Sequence, residues 1–350
     1  MTETYTPPGP DPLLTHRTES WRVDILSDAD TAIATLDGVT GGKIDFSAGA
    51  TIHGGGQLDV DDIDQVDDWL DLRVRVWWEV DGMEPWALGT FLCTAPTEQH
   101  TEFGRSWSVG LLDKLTILDG DSVNGSFSLP AGTVITTAIK AVITGAGESR
   151  MSVTDSAETL TAGQVWPAGT SRLRIVNDLC AMINYYGVSC DTLGNYRVRP
   201  YVRPQDRTVR RDLTGDAIVD FDWQRDQDLS SVPNRVILIA QASGTDEALV
   251  SVAENTDPGS RLSIPTRGRV VAVTESGVEA SSQTVLDGLA ARKLTDLSSP
   301  SATRTIEHAA VPLDLHDVVR HEGVVCSVQS MAHTLAVGAL TRTGLREVIV

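Results

Sequence analysis

The closing stretch Pro312–Val350, PLDLHDVVRHEGVVCSVQSMAHTLAVGALTRTGLREVIV, decides how we interpret the fold of this chain. Its valine-rich runs carry the branched apolar side chains that suit a pleated, half-buried sheet. Glu322–Gly323 and Gly338 interrupt these runs, so the stretch predicts successive strands separated by turns. Because a terminus that pairs in a sheet is usually docked, we expect the fold to close here.

The rest of the composition is typical of a globular protein. The chain has 350 residues, 41% of them hydrophobic, which predicts roughly two to four domains. No apolar run approaches the roughly 18 residues of a membrane span. The first twenty residues lack the basic region and apolar core of a secretory signal. Their Pro7–Pro12 segment instead predicts an extended arm over residues 1–19.

The net charge argues against one class of function, and the cysteines indicate the compartment in which the protein is assembled. Forty-eight acidic residues against 28 basic ones give a net charge of −20. Such a surface repels nucleic acid, so it argues against a conventional DNA-binding protein but allows a wall past which DNA slides. The four cysteines form no CxxC pair, and we expect them to be reduced core residues of a protein assembled in a cytoplasm.

Residues 20–118 read mainly as β-structure. The clearest segment is Leu72–Val80, in which Leu72, Val74, Val76, Trp78 and Val80 alternate with Arg73, Arg75, Trp77 and Glu79. A period of two places Trp78 in the core and Trp77 on the charged face. Further strands are expected at Ala87–Cys93 and Ser106–Leu112, a spacing that suggests a barrel or a sandwich.

Helical patterns begin after Gly120. One helix is expected after Thr133, which is its candidate N-cap. A second helix is expected to begin near Thr170 or Ser171 and to end before Gly187, which would provide its left-handed cap. A hairpin with its turn at Leu193–Asn195 follows. Beyond Asp220 we expect strands at Arg235–Ala240 and Arg269–Val273, and a helix over about Thr284 to Leu297.

The aspartate-rich run Asp59–Asp71 carries seven carboxylates and is a possible calcium site. Its spacing departs from the EF-hand, because Ile63 occupies a ligand position and the loop lacks its glycine and closing glutamate. We therefore interpret the run as a solvated acidic face.

A basic island stands out in this acidic chain. We expect Arg197, Arg199, Tyr201 and Arg203 to share one face of a strand. Arginines interleaved with an aromatic ring can hold a nucleic-acid backbone, or they can pair with carboxylates of a neighbouring subunit. We favour the second interpretation, because the protein has a surplus of carboxylates.

Sequence motifs of catalysis are missing. The seven histidines form no HExxH pattern, and no GxSxG or P-loop is present. We therefore predict no catalytic, cofactor or metal site. Trp77 and Trp86 leave two readings open, since tryptophan on a β surface serves either as a sugar platform or as an anchor of a subunit interface. We take Trp77, together with the arginine island, as a candidate for a subunit interface.

Several longer phrases support a resemblance to a family. They are LGTFLC (Leu88–Cys93), SWSVGLLDKLTIL (Ser106–Leu118), LPAGTVITTAIKAVI (Leu129–Ile143), LRIVNDLCAMINYYGVSCDTLGNYRVRPYV (Leu173–Val202), PNRVIL (Pro233–Leu238) and ARKLTDLSSPSATRTIEHAAVPLDLHDVV (Ala291–Val319). In this order they resemble the tail-tip hub proteins of long-tailed bacteriophages, especially the minor tail proteins of siphophages that infect actinobacteria. The phrases are structural patterns without an invariant chemical motif.

The resemblance implies a mainly β fold with an α/β insertion, similar to the baseplate hub of contractile-tailed phages. The expected parts are two tube-protein-like β-barrel or sandwich domains, a smaller α/β lobe and a connecting helix. We place the first β domain at 20–118, continued by roughly 206–280, the inserted lobe at 119–205, and the helix with the second β domain at 281–350. Many larger family members carry a C-terminal extension with hydrolase or receptor-binding modules, whereas this sequence ends at Val350.

The implied function is structural. Such a hub is a homotrimer that adapts the sixfold tail tube to a threefold tip and forms part of the channel for DNA ejection, through which DNA passes without specific binding. Its partners would be the distal tail protein, the tape-measure protein and further minor tail proteins of the virion tail tip. The alternatives are a cell-wall glycan-binding or hydrolysing β-module of the tail, and a distal tail ring protein.

Overall fold

A computed structural model describes residues 17–61, 65–66, 68–70, 72–102, 104–213, 222–226, 229–240, 248–278, 283–298 and 302–348. Most of the expected N-terminal arm and the final residues of the closing stretch therefore lie outside the described residues. The chain divides into two compact units. Unit 1 comprises Met1–Trp223 and Thr305–Leu345, and unit 2 comprises Gln224–Arg304 and Arg346–Val350.

The first β region of unit 1 consists of seven strands. Their bounds are β1 (Glu19–Leu26), β2 (Ala32–Thr35), β3 (Val39–Ser47), β4 (Gly54–Asp61), β5 (Arg73–Val80), β6 (Trp86–Thr101) and β7 (Gly104–Asp113). Of these, β5 and β7 show the clearest alternation of buried and more exposed side chains. On β5 the predicted alternation places Trp78 in the core, where it is 2% exposed. Arg75, expected on the polar face, is also buried.

The closing strands form the other part of the same sheet. Their bounds are β18 (Thr303–Ala309), β19 (Val318–His321), β20 (Val324–Thr334) and β21 (Leu340–Glu347), and the short β13 (Arg211–Asp212) pairs with β19. Glu322 and Gly323 both have positive φ, which makes the tight two-residue turn that the sequence predicts between β19 and β20. Gly338, with φ 74°, lies in the second predicted turn.

One sheet therefore unites the two ends of the chain. Its strand order in unit 1 is β18-β21-β20-β3-β4-β7-β6-β5-β1-β2. The junction is the antiparallel pairing of β20 with β3, in which Met331 lies opposite Phe46. Side chains from both ends, such as Val76, Leu111 and Val328, share one apolar core. The mainly β fold with an α/β insertion is confirmed. That the two β regions are tube-like modules stays a prediction.

The inserted lobe has its own apolar core between Leu115 and Val198. Its elements are α1 (Leu115–Gly120), β8 (Phe127–Leu129), α2 (Ile135–Gly145), β9 (Met151–Val153), β10 (Gln164–Trp166), α3 (Arg172–Met182), β11 (Ser189–Cys190) and β12 (Tyr196–Val198). β8 pairs with β10, and β12 pairs with β11 and β9. The lobe thus packs as an α/β layer of its own within unit 1.

The helix ends of the lobe correct two expectations. Ser171 caps α3, since its hydroxyl accepts from the amide of Arg174 at 3.2 Å, as predicted. Thr133 does not cap α2, because its hydroxyl donates to the carbonyl of Pro130 instead. Asn184, with φ 58°, takes the left-handed position expected of Gly187. Asparagine tolerates this conformation because its short amide can bond locally.

Unit 2 is a small sheet with a helix on one face. Its elements are β14 (Gln224–Asp226), β15 (Arg235–Ala240), β16 (Val250–Glu254), α4 (Ile264–Arg267), β17 (Ala272–Val278) and α5 (Gln283–Ser298). β15 lies between β16 and β17, and its residues Val236 and Leu238 pack against Leu286 and Ala290 of α5.

This division corrects the expected domain boundaries. Residues 224–278 do not continue the first β domain, because β15, β16 and β17 pair with one another and share a core with α5. Helix α5 likewise groups with these strands and not with the closing strands. The second β region instead shares its sheet with β3, through hydrogen bonds that local sequence patterns do not reveal.

Candidate interaction site beside the inserted lobe

The hairpin of β11 and β12 carries the arginine island, and its turn is built by local side-chain bonds. Asp191 Oδ1 accepts from the amides of Leu193 and Asn195 at 3.0 and 2.8 Å. Gly194 has φ 81°, a conformation that favours glycine. The sequence DTLGN therefore forms a preorganised loop at the tip of the hairpin.

The tip is held against the β-strands of unit 1. Three successive carbonyl groups of Thr192–Gly194 accept hydrogen bonds from Thr90 Oγ1 at 3.1 Å, Arg75 Nη2 at 2.9 Å and Lys114 Nζ at 3.2 Å. The burial of Arg75 follows from this contact, since its guanidinium also donates to Thr90 Oγ1 at 2.9 Å. These bonds fix where the hairpin leaves the sheet.

A buried charge cluster lies beneath the tip. Lys114 is fully buried, and its ammonium lies 2.6 Å from Asp30 Oδ2 and 2.7 Å from Glu148 Oε2. Arg73 reaches the same two carboxylates at 2.9 Å each. Tyr196 of β12 donates to the Lys114 carbonyl at 2.8 Å. Because each buried charge has an opposite charge within hydrogen-bond distance, the cluster can persist away from water.

An aromatic and cationic group, which we call the Tyr186 cluster, consists of Tyr186, Arg199, Tyr201, Arg207 and His316. The Tyr186 ring lies 5.0 Å from Tyr201 and 5.3 Å from His316, centroid to centroid. The guanidinium carbons of Arg199 and Arg207 lie 5.3 and 5.2 Å from the Tyr186 centroid, within the range of cation–π attraction. The cluster therefore gathers positive charge on a strongly acidic protein.

The arginines of the island differ in their partners. Arg197 pairs with Asp314 at 3.5 Å, and Arg203 pairs with Asp206 at 2.8 Å. Arg207 donates to the carbonyl groups of Val202 and His316. The backbone carbonyl of Arg199 accepts from the amide of Tyr186 at 3.0 Å. The guanidinium of Arg199 makes neither a hydrogen bond nor an ion pair with any residue that the structure describes, and contacts the face of Tyr186. Burial lowers the pKa of both Arg199 and Arg207 from the ordinary value.

A cavity of about 290 Å³ opens beside the Tyr186 cluster, between the first β region, the hairpin and the segment that precedes β19. Its apolar walls are formed by Phe46, Trp86, Leu88, Phe91, Leu315 and Met331. Its polar lining includes His53, Asp113, Cys190, Arg197, Arg199 and Asp314. Arg197 and Arg199 of the arginine island thus line a partly open, largely apolar space.

Two polar groups of the cavity differ in how well they are satisfied. Asp113 accepts from the amides of Gly54 and Leu115 at 2.7 and 2.8 Å, and burial raises its pKa to about 6. Nδ1 of His53, in contrast, is buried and has no hydrogen-bond partner among the described residues. Burial lowers the pKa of His53, so the neutral imidazole is favoured.

The expected site residues are only partly brought together. Arg199 and Tyr201 meet in the Tyr186 cluster, and Arg197 lines the cavity. They do not share one strand face, because β12 ends at Val198 and Arg203 precedes a 3-10 turn at Pro204–Asp206. Their role as a subunit interface stays a prediction.

The two tryptophan candidates contact their own chain. Trp77 donates its indole N–H to Asp24 Oδ2 at 2.8 Å, and the Arg22 guanidinium lies 5.2 Å from its ring. Trp86 packs edge-on against Trp78, with centroids 5.8 Å apart. Both rings are half-buried, so neither offers a wholly free aromatic surface.

Sequence reasoning missed Tyr186, His316 and the charge cluster. Tyr186 carries a weak signal, since it lies in a pair of tyrosines directly before Gly187. Asp30, Lys114 and Glu148 carry none, because they lie in three segments that are distant in the sequence and form no shared motif. Of the aspartate run, Asp59, Asp61 and Asp68 are described, whereas Asp62, Asp64, Asp67 and Asp71 lie outside the described residues.

No group of three or more histidine, cysteine, aspartate or glutamate residues in the described part of the chain is arranged to hold a metal ion. Among the helices described, none has the length and apolar character needed to cross a membrane.

Comparisons with known proteins show the fold. No protein family and no curated protein sequence matches this chain. A tail protein from Neisseria meningitidis matches it in structure with a TM-score of 0.68 at 14% identity, over 94% of this chain and 96% of that one. The 43 kDa tail protein of prophage MuSo2 from Shewanella oneidensis matches with a TM-score of 0.67 at 13% identity, over 94% and 98%.

A third match extends the comparison to a secretion system. An Escherichia coli component of the type VI secretion system, itself structurally similar to tail proteins of bacteriophage T4, matches with a TM-score of 0.54 at 8% identity. The match covers 94% of this chain and 76% of that one. The chain therefore has the fold of phage tail proteins and of baseplate hub-like proteins.

Proposed function

We propose that this chain is a structural protein of a phage tail and acts there as a trimeric hub at the tail tip. The observation that carries the proposal is the near-complete correspondence with two tail proteins, which covers 94% of this chain and at least 96% of each of those two proteins. A fold shared over the whole length, without a large unmatched region, supports a shared architectural role more than a module borrowed for another purpose.

The hub would adapt the sixfold tail tube to a threefold tip and form part of the channel for DNA. The net charge of −20 supports this role, because phosphate groups are repelled by an acidic surface and DNA would pass without specific binding. The proposed partners are the distal tail protein, the tape-measure protein and further minor tail proteins. Assembly would take place in the host cytoplasm, and the proposal assigns no catalytic, cofactor or metal role to the chain.

We further propose that the arginine island contributes to the subunit interface. Its acceptors would be carboxylates of the neighbouring copy, which the acidic surface supplies in excess. Arg203 is the best-placed member, since its side chain is 58% exposed and its pairing with Asp206 is local. The other candidates contact residues of their own chain, and we expect smaller contributions from them: Arg197 pairs with Asp314, Arg199 and Tyr201 contact Tyr186, and Trp77 donates to Asp24.

A reconstruction of the tail tip tests the position and the symmetry together. Three copies of this chain in a ring below the tail tube would support the hub. Six copies would instead identify a distal tail ring protein, and density for the chain on a side fibre would contradict both. Glycan-binding and peptidoglycan-cleavage assays on the purified chain test the cell-wall alternative. An activity that a single carboxylate substitution abolishes would support that alternative.

A charge reversal tests the interface. Arg203→Glu should weaken self-association, measured by light scattering over a concentration series, while the melting temperature of the chain stays within a few degrees. Arg174→Glu is the matched control, because Arg174 is 71% exposed and pairs locally with Asp178 on α3. Equal effects of the two variants would count against a specific role of the island.

A further inference from the structure

The cavity beside the Tyr186 cluster has the size and the wall chemistry of a small-molecule site. The space is partly open to solvent and has a volume of about 290 Å³. It lies near the lower end of the volumes that hold small ligands. Phe46, Trp86 and Phe91 provide aromatic walls. An apolar body of about one ring and a short chain would fit such a space.

The lining carries three carboxylates and two guanidinium groups, those of Asp113, Asp191, Asp314, Arg197 and Arg199. Arg197 pairs with Asp314, Asp113 accepts from two backbone amides, and Asp191 accepts from groups of its own turn. The half-buried guanidinium of Arg199 feels the charges of Asp314 and Asp317 but donates to no acceptor among the described residues. Removing a guanidinium from water without an acceptor is unfavourable, and the face of Tyr186 offsets that loss only in part.

A second unsatisfied group points in the same direction. His53 lines the same cavity, and its buried Nδ1 has no partner in the described part of the chain. Arginine is a donor without acceptor capacity, and an imidazole nitrogen can also donate, depending on its tautomer. A ligand that satisfies Arg199 must therefore bring acceptor atoms, and those of a carboxylate match the guanidinium fork in two parallel bonds.

We propose that this cavity binds a small free carboxylic acid with an aromatic or aliphatic body, whose carboxylate is held by Arg199 and whose apolar body lies against Phe46 and Trp86. All the lining residues belong to unit 1. The proposal does not depend on the hub function, but it is an alternative to the interface role of Arg199, because one guanidinium cannot hold the ligand and a neighbouring carboxylate together. Binding of the acid to the isolated chain tests this proposal, and the symmetry of the tail tip tests the hub.

Binding of 3-phenylpropionate to the full chain tests the proposal, with 3-phenylpropionamide as the uncharged analogue of the same shape. We expect a Kd for the acid between about 10 μM and 1 mM, as suits a ligand of this size, and binding of the amide at least about tenfold weaker. Calorimetry and ligand-observed NMR would measure both. Equal affinities for acid and amide would overturn the proposal, and this comparison needs no variant of the protein.

Variants locate the site. Arg199→Gln should weaken binding of the acid at least about tenfold, whereas Arg203→Gln, which alters an arginine paired with Asp206 and not in the cavity lining, should leave it unchanged. Ala48→Leu should abolish binding while retaining Arg199, because Ala48 lines the cavity and the larger side chain fills it. The proposal fails if the two arginine variants bind the acid alike, or if Ala48→Leu binds normally.

A peptide arm distinguishes the source of the carboxylate. A short peptide that ends in phenylalanine offers the same groups on a protein terminus. The proposal is supported if the free acid binds with an affinity equal to or higher than that of the peptide. Binding of the peptide alone would overturn it in favour of a protein chain end.

Discussion

The ammonium of Lys114 lies 2.6 Å from Oδ2 of Asp30 in the interior of unit 1. The two residues are 84 positions apart, and Glu148 of the inserted lobe completes the cluster at 2.7 Å. Asp30 belongs to the turn after β1, and Lys114 directly follows β7. The cluster therefore joins the first β region to the lobe, and it lies beneath the hairpin tip that carries the arginine island.

Replacing Lys114 should be strongly destabilising. Lys114→Met leaves Asp30 and Glu148 buried with one cation fewer, and we expect a loss of about 3–5 kcal/mol in the free energy of unfolding. Lys140→Met is the matched control, because Lys140 pairs with Asp155 at 2.6 Å on the surface and should contribute less than about 1 kcal/mol. Urea denaturation would measure both, and similar losses would contradict a structural role of the cluster.

Gly194 should resist substitution more than another glycine of the same backbone conformation. A Cβ at Gly194 would lie 3.0 Å from Thr90 Cγ2 and 3.2 Å from Lys114 Cδ, whereas one at Gly82, also at φ 81°, would meet no atom within 4 Å. Gly82→Ala should cost about 1–2 kcal/mol from the left-handed backbone alone. Gly194→Ala should cost a further ~1–3 kcal/mol from overpacking, as thermal unfolding would show.

Two buried histidines of the closing strands, His308 and His333, and the half-buried His316 before β19 should make the fold sensitive to mild acid. Burial lowers the pKa of His308 and His316 to about 4 and that of His333 to about 3, from an ordinary 6.5. As the pH falls below 6.5, the unfolded chain binds protons that the folded chain refuses until about pH 4. The free energy of unfolding should therefore fall across this window.

One substitution isolates this effect. His308→Gln should reduce the slope of the free energy of unfolding against pH by up to about 1 kcal/mol per pH unit. The reason is that the neutral imidazole of His308 makes the hydrogen bonds with Thr343 and Ala309. His100→Gln, at a side chain that is 73% exposed, is the control and should leave the slope unchanged. Denaturation curves at pH 7, 6, 5 and 4 would measure the slopes, and a His308→Gln slope equal to that of the unmodified chain would refute the assignment.

Glu347 should stabilise unit 2 at neutral pH. Hydrogen bonds from Arg225, and then from Arg304, lower its pKa from 4.5 to about 2. This stabilisation is fully present above pH 4.5 and is lost as the pH falls towards 2. Glu347→Gln should cost about 1–2 kcal/mol at pH 7, a value discounted for screening by solvent around the partly exposed arginines.

The pH dependence provides the check on Glu347. The difference in the free energy of unfolding between Glu347→Gln and the unmodified chain should shrink below pH 4.5, as urea denaturation over a pH series would show. Glu254→Gln is the control, because the Glu254–Arg235 pair lies on the exposed face of the same unit at 2.6 Å. A pH-independent loss in Glu347→Gln would show that the pair acts through packing alone.

Local patterns in the sequence were sufficient for most individual elements. The predicted strand at Arg235–Ala240 coincides with β15, and the predicted helix over Thr284–Leu297 lies within α5. The Ser171 cap and the turn at Glu322–Gly323 were also correct. These features depend on residues within a few positions of one another, because side-chain periodicity and capping bonds are local.

Only the tertiary structure decided which elements share a sheet and which side chains share a site. The pairing of β20 with β3, the enclosure of Lys114 and the meeting of Arg197 with Asp314 each join distant segments. Alternation along β5 marked Arg75 as polar and outward, yet the hairpin tip covers it. A strand's pattern specifies which side chains share a face, whereas the fold determines what packs against that face. The sequence by itself therefore determined a mainly β chain with an α/β lobe, and the contacts between distant segments decided the cavity and the unpaired Arg199.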